Sequence, residues 1–495
     1  MATSDEERRA ADEFYIVATD TSHDERTRVL KQDETFAVCD RYGDLVTEGL
    51  GQHGLYHQGT RFLSRYRLAL YQHRPMLLGS TISTDNKLLL VDLTNPDLRL
   101  DGHLDTPRGT IHLQRKRFLW ESTAFEELTV HNYGLAPLQV HLAFEFDADF
   151  VDVFEVRGMQ RAKLGWLLAP EVTDNAVVLR YCGLDHQERR TRLQFSPPPA
   201  SLSATRARYA LELRPQESAV IEVQMGCEVG DEAPAARRPF DDVLPRARRS
   251  IDESVHGGTR ATSSNEQFNA WLARSMADIH LMVTNTPYGP YPYAGIPWYN
   301  APFGRDGLIT ALETLWVDPR MARGVLAYLA ATQARRVNAH SDAEPGKILH
   351  EARKGEMATL DEVPFRQYYG TVDATPLFVL LAGAYYQCTG DLEFIRELWP
   401  NVEAALGWID RYGDHDGDGM VEYQQATPTG LANQGWKDSH DAVSHHDGRL
   451  AEGAIALCEV QGYVYAAKQA AAGLARALDR VDLSDALKEQ AGRLY

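Results

Sequence analysis

The sequence predicts an antiparallel β-sandwich followed by an all-α toroid of helical hairpins, on three observations. From about residue 33 to 228, apolar residues recur at every second position. Near residue 230 the composition turns to Ala, Pro and charge. From about residue 261 the apolar period becomes helical, and short connections alternate with long, decorated ones. The expected organisation is a flexible segment 1–32, a β-sandwich 33–229, a linker with a connecting helix 230–260, and a toroid 261–495.

The strands come first. In PLQVHLAFEF, Leu138, Val140, Leu142, Phe144 and Phe146 alternate with Gln139, His141, Ala143 and Glu145, the pattern of a strand buried on one face. Val220, Val223 and Met225 close a less regular run. The turn signals DRYGD, HNYG, TDN and SPPPA separate such runs, and closely spaced strands without helices between them suit a sandwich. After the linker EVGDEAPAARRPF a connecting helix is expected near 240–255.

The helices follow. Ser263 and Ser264, with Glu266 and Gln267, offer overlapping capping boxes before a face of Phe268, Leu272, Met276, Ile279 and Met282. Asp318-Pro319 is an N-cap with proline at the first helical position. Leu377, Leu381, Ala384 and Tyr385 mark another helix, ended by Gly390; Val402, Ala405, Leu406 and Ile409 the next, ended by Gly413. Ile455, Val460 and Val464 mark one more, and LSDALKEQAGRLY begins the last. The TGD and SDA sites near 389 and 484 read as caps. AGRLY stops within a helical pattern, so the toroid is expected to be cut short.

Composition narrows the function. At 495 residues, with 44% apolar and 24% charged, the chain can bury large cores in several domains. Lys plus Arg number 51 against 70 Asp plus Glu, and the formal charge of −19 opposes nucleic acid and anionic membranes. The basic triplet Arg115-Lys116-Arg117 reads as part of an ordinary strand, and the β-half as a structural platform. No apolar run approaches the roughly 18 residues of a spanning helix, and the charged N-terminus lacks a secretory h-region. The five scattered cysteines read as reduced thiols of a cytoplasmic protein, with no zinc spacing.

Four segments could carry chemistry. YGPYPYAGIPWYNAPFGRDGLIT gathers aromatics, Trp298 among them, and delivers Arg305 and Asp306 at a helix start. Rings beside a charge pair suit a sugar, whose C–H face stacks while its hydroxyls need paired donors and acceptors; the plainer reading is a packed loop with a helix-start acid. LANQGWKDSHDAVSHHDG combines Trp436, Lys437 and Asp438 in a long loop, where an indole can desolvate a carboxyl and suit it to general-acid work. Its alternative is a polar surface loop, and its histidines lack metal-ligand spacing. Asp373 in YYGTVDATPLF is fully explained as an N-cap. Asp414, Asp416 and Asp418 begin like a calcium loop, but the twelfth position is Gln425; no cofactor is expected, and a turn into a short strand MVEY is the favoured role.

With GKILHEARKGEMA, CEVQGYVYAAK, FAVCDRYGDLV and GLYHQGTRFLSRYRL, these motifs resemble, in order, bacterial glycogen-debranching enzymes of the amylo-α-1,6-glucosidase group. The resemblance implies an (α/α)6 catalytic toroid behind an N-terminal β-domain, an inverting hydrolysis of α-glucosides, and a glycogen-like or oligosaccharide partner. It implies that Arg305 and Asp306 hold the terminal sugar and that Asp438 is the general acid, with Trp436 and Lys437 beside it. His350, Glu351 and Asp373 would line the same pocket. The base carboxylate is expected beyond residue 495. Hydrolases of trehalose-, kojibiose- or mannosylglycerate-type substrates share the signature, and a non-catalytic carbohydrate-binding fragment is the alternative from another class.

Overall fold

The computed structural model describes residues 27–46, 51–100, 103–233, 235–256, 258–427 and 429–495. The N-terminal half is built from antiparallel sheets. One holds eight strands in the order Trp166–Val172, Ala176–Cys182, Glu188–Ser196, Ser218–Val229, Thr123–Asn132, Ile111–Trp120, Leu89–Thr94 and Met76–Ile82. A four-stranded sheet runs Ser201–Leu202, Arg206–Leu213, Leu138–Asp147 and Arg65–Leu70, and another joins Arg28–Gln32, Thr35–Cys39, Gly54–His57 and Thr60–Leu63. Their inner faces share one core that includes Leu68, Leu128, Phe144, Phe195 and Ile221.

Period two places Val140, Leu142, Phe144 and Phe146 inward as expected. In Ser218–Val229 the inward parity is Ile221, Val223, Met225 and Cys227, so Val220 points out, one residue off the expected phase. Residues 1–26 lie outside the described residues, but Arg28–Gln32 is a paired strand, not part of a flexible segment, because Val29 and Leu30 meet Val38 and Ala37 across an antiparallel ladder. The basic triplet is structural. Arg115 and Arg117 turn inward to buried Glu126, and Lys116 turns outward to Glu127 at 2.9 Å.

Helices in chain order are α1 (Val153–Val156), α2 (Phe240–His256), α3 (Glu266–Met282), α4 (Gly304–Glu313), α5 (Pro319–Thr332), α6 (Glu356–Thr359), α7 (Ala374–Thr389), α8 (Leu392–Arg411), α9 (Cys458–Ala477) and α10 (Val481–Leu494). Asp318 caps α5, and Asp391 caps α8 by accepting from Phe394 N at 3.1 Å. Gly390 ends α7 at φ 68°, a left-handed conformation that glycine adopts without strain. Other expectations shift. The cap of α3 is Asn265, which accepts from Phe268 N, while the Ser263 hydroxyl serves Asn265 N. Ser484 lies inside α10 rather than before it. Ile455 is outside α9 and forms a lone bridge with Tyr423, which is all that becomes of the expected MVEY strand.

Short links (314–318, 390–391, 478–480) alternate with long ones (333–373, 412–457), as a ring of helical hairpins requires. The two long loops are tied together. Val372 N donates to Gln434 O at 2.9 Å, Leu431 N to the Tyr368 hydroxyl at 2.7 Å, and Ala426 N to buried Asp342 at 2.8 Å. Among the described residues no helix is long and apolar enough to cross a membrane.

Candidate active site

The site is organised by one guanidinium. Arg305 stands in the first turn of α4, which starts close against the 348–351 segment. Gly304 N donates to His350 O at 2.8 Å, and a Cβ at Gly304 would lie 1.9 Å from Leu349 O, so only glycine allows this approach. Arg305 Nη1 donates to Gly435 O at 2.8 Å and to Asp373 Oδ2 at 3.2 Å. Its Nη2 lies 3.8 Å from Asp438 Oδ2, and its Nε 3.9 Å from Asp306 Oδ2. Two helix starts and the Trp436 loop therefore converge on one cation.

Asp373 does not act as the expected N-cap. It precedes α7 but makes no side-chain cap bond there. Its buried carboxylate instead accepts from Thr371 Oγ1 at 2.5 Å and from Arg305. Asp438 differs. Its side chain keeps 48% of its accessible surface, so it faces open space. Partial burial raises its pKa above the ordinary 3.8, Arg305 opposes this, and Asp306 and Asp373 add repulsion. Beside it Trp436 is 58% exposed, and Lys437 Nζ stands 5.1 Å above the indole.

Glu351 lies in a short bridged segment between Phe303 and Tyr368. Its carboxylate accepts from Arg353 Nε at 2.7 Å; burial lifts its pKa and Arg353 pulls against the rise. His350 is only 3% exposed, with its ring edge-on to Phe303 and Tyr368. Burial, reinforced by Arg305 and Arg353, holds it neutral, so it underlies the pocket rather than lining it. Trp298 is half-buried, and its carbonyl accepts from Arg353 Nη1 at 2.8 Å.

Sequence reasoning missed Arg157. It follows α1, reaches over from the β-domain, and sits 5.9 Å from the ring centres of both Trp298 and Tyr299. The β-half therefore places a guanidinium against the aromatic loop that leads to Arg305. A local signal existed, since Asp152 and Glu155 form a capping box that announces a helix in a region of strands.

A cavity of about 440 Å³ opens beside Arg305 and Asp306, walled also by Asp278, Met282, Tyr293 and Thr310. The acidic loop 414–418 uses its carboxylates on its own amides: Asp414 takes Gly417 N and Gly419 N, and Asp418 takes Met420 N. Gln425 donates to Gly430 O at 2.7 Å, so the twelfth position serves the loop's own backbone.

Residues 30–224 match the family model described as the N-terminal domain of (some) glycogen debranching enzymes. Residues 303–495 match that of the mannosylglycerate hydrolase MGH1-like glycoside hydrolase domain. Among solved structures, the chain is similar to a protein from the human microbiome described as a kojibiose phosphorylase, with 11% identity over 94% of this chain and 67% of that one, and a TM-score of 0.62. It is also similar to a bacterial glucoamylase complexed with acarbose, with 10% identity over 97% of this chain and 69% of that one, and a TM-score of 0.54. Among curated proteins none matches the sequence.

Proposed function

From a chain that joins a debranching-type N-terminal β-domain to an (α/α)6 domain of glycoside-hydrolase type, we propose an inverting hydrolase of α-glucosides, with the α-1,6-linked glucose of a glycogen-like or oligosaccharide chain as its substrate. One observation carries the reading: a half-open carboxyl, Asp438, stands 3.8 Å from a guanidinium that also holds Asp373, beside an exposed indole. Arg305 and Asp306 grip hydroxyls of the terminal sugar, and Trp436 offers a stacking face. Asp438, whose pKa partial burial raises, gives its proton to the departing glycosidic oxygen. Asp373 is committed to Arg305 and Glu351 to Arg353, so both hold the site in shape. Inversion also needs a water-activating carboxylate roughly 6.5–9.5 Å from the acid. We assign that role to none of these residues.

We place the protein in the cytoplasm, a reading supported by five free cysteines, Cys39, Cys182, Cys227, Cys388 and Cys458. The reaction is tested with isomaltose-type, trehalose, kojibiose and mannosylglycerate substrates, each with and without inorganic phosphate. Phosphate-independent release of glucose from the α-1,6 substrate is expected. A strict phosphate requirement would reassign the reaction to phosphorolysis, and turnover of another disaccharide alone would reassign the linkage.

A further inference from the structure

A second and larger recess lies between the β-domain and the helical domain, with a volume of about 1070 Å³. Arg305, Asp306, Glu351, Asp373 and Asp438 form no part of its wall. The β-domain contributes Glu34, Gln58 and Asp152, and the helical domain the end of α5 and much of the loop from 333 to 369.

Five cations face it: Arg335, Arg336, Arg353, Lys354 and Arg366. Two are matched, Arg353 by Glu351 at 2.7 Å and Lys354 by Glu34 at 2.8 Å. Arg335, Arg336 and Arg366 are exposed and form no ion pair with any described residue. The wall's own carboxylates do little for them. Glu34 is held by Lys354 and the Tyr293 hydroxyl, and buried Asp152 accepts from Phe154 N and Met357 N; Asp361 alone stands exposed. In a chain with 70 acidic residues and a formal charge of −19, partners for three guanidiniums abound. Three exposed guanidiniums on one concave wall make a positive patch that an anion would neutralise. Guanidinium forks suit planar or tetrahedral oxyanions, and exposed Asn338 and Gln367 on the same wall suit hydroxyls.

We propose that this recess binds a saccharide bearing a terminal oxyanion, phosphate monoester or carboxylate, through Arg335, Arg336 and Arg366. The test is calorimetric titration of the full chain with glucose 6-phosphate, glucuronate and, as the neutral control, glucose. At least one anionic sugar should bind at least tenfold more tightly than glucose, and the stronger of the two identifies the oxyanion. The triple variant Arg335→Gln, Arg336→Gln, Arg366→Gln should lose at least tenfold of that affinity, while Asp438→Asn keeps it. Equal affinity for all three sugars overturns the proposal. So does a folded triple variant, checked by circular dichroism and thermal melting, that binds like the parent. If the triple variant fails to fold, Arg366→Gln alone decides, with a loss of at least threefold expected and parental affinity overturning.

Discussion

Asp438 sits among opposing influences, of which desolvation is the largest. Desolvation favours its neutral form and lifts its pKa from 3.8, Arg305 at 3.8 Å favours the anion, and two further carboxylates add to the rise. A general acid works only while it keeps its proton, so kcat should fall as pH rises through this raised value. Asp438→Asn should lower kcat by about 10²–10⁴-fold and leave KM within a few-fold. It should also flatten that basic limb. Undiminished turnover would remove Asp438 from the acid's role. Glu126 shows the reverse balance. Burial alone would raise its pKa, but Arg115 and Arg117 hold it below the ordinary 4.5, with the Tyr66 hydroxyl donating at 3.1 Å. Its contribution is therefore present above pH 4.5 and lost as pH falls through the lowered native value. Glu126→Gln leaves buried guanidiniums underpaired and should cost about 3–5 kcal/mol at neutral pH in urea denaturation.

At the scale of the element, legibility followed locality. Leu138–Asp147 could be read because alternation is a property of neighbouring residues, and the α5 and α8 starts because Asp318 and Asp391 cap amides two or three positions away. Trp166–Val172 carries no such signal. Trp166 and Leu167 are both exposed at the edge of the eight-stranded sheet, where polarity does not report position. The site was hardest to read from pattern alone. Arg305 finds Asp373 68 positions on and Gly435 130 positions on, and only motif resemblance brought these residues together. Asp373 shows the limit, since its position before a helix matched a cap that the structure does not make. Two predictions belong here. Gly304→Ala must push Leu349 O away from the start of α4, so it should cost about 1–3 kcal/mol and lower kcat together with stability. Arg157→Ala should instead raise KM for longer substrates with kcat and Tm nearly unchanged. A fall in Tm with unaltered KM would make Arg157 a packing residue only.

At the scale of the whole molecule, the two halves are held together by buried polar pins. Glu356 on α6 accepts from Arg161 at 3.0 Å, the Tyr181 hydroxyl at 3.0 Å and Leu184 N at 2.8 Å, all from the β-domain. The motif GKILHEARKGEMA is thereby divided, with Glu351 paired to Arg353 and Glu356 turned toward the domain contact. Lys31 is a second pin. Its Nζ donates to Thr284 Oγ1 at 2.8 Å and stands 5.1 Å from the Tyr293 ring centre. Burial lowers its pKa from 10.5 to about 7, against the pull of Asp33 and Glu34. Between pH 7 and 10.5 the unfolded chain therefore holds a proton that the folded chain has released, so this group makes stability rise with pH across that window. Lys31→Met keeps the bulk and removes the charge. Relative to the parent it should gain stability at pH 6 and show that gain shrinking steadily toward pH 10. A pH-independent difference between the two melting curves would mean that Lys31 pins the domains by its hydrogen bonds, with no cost from its charge.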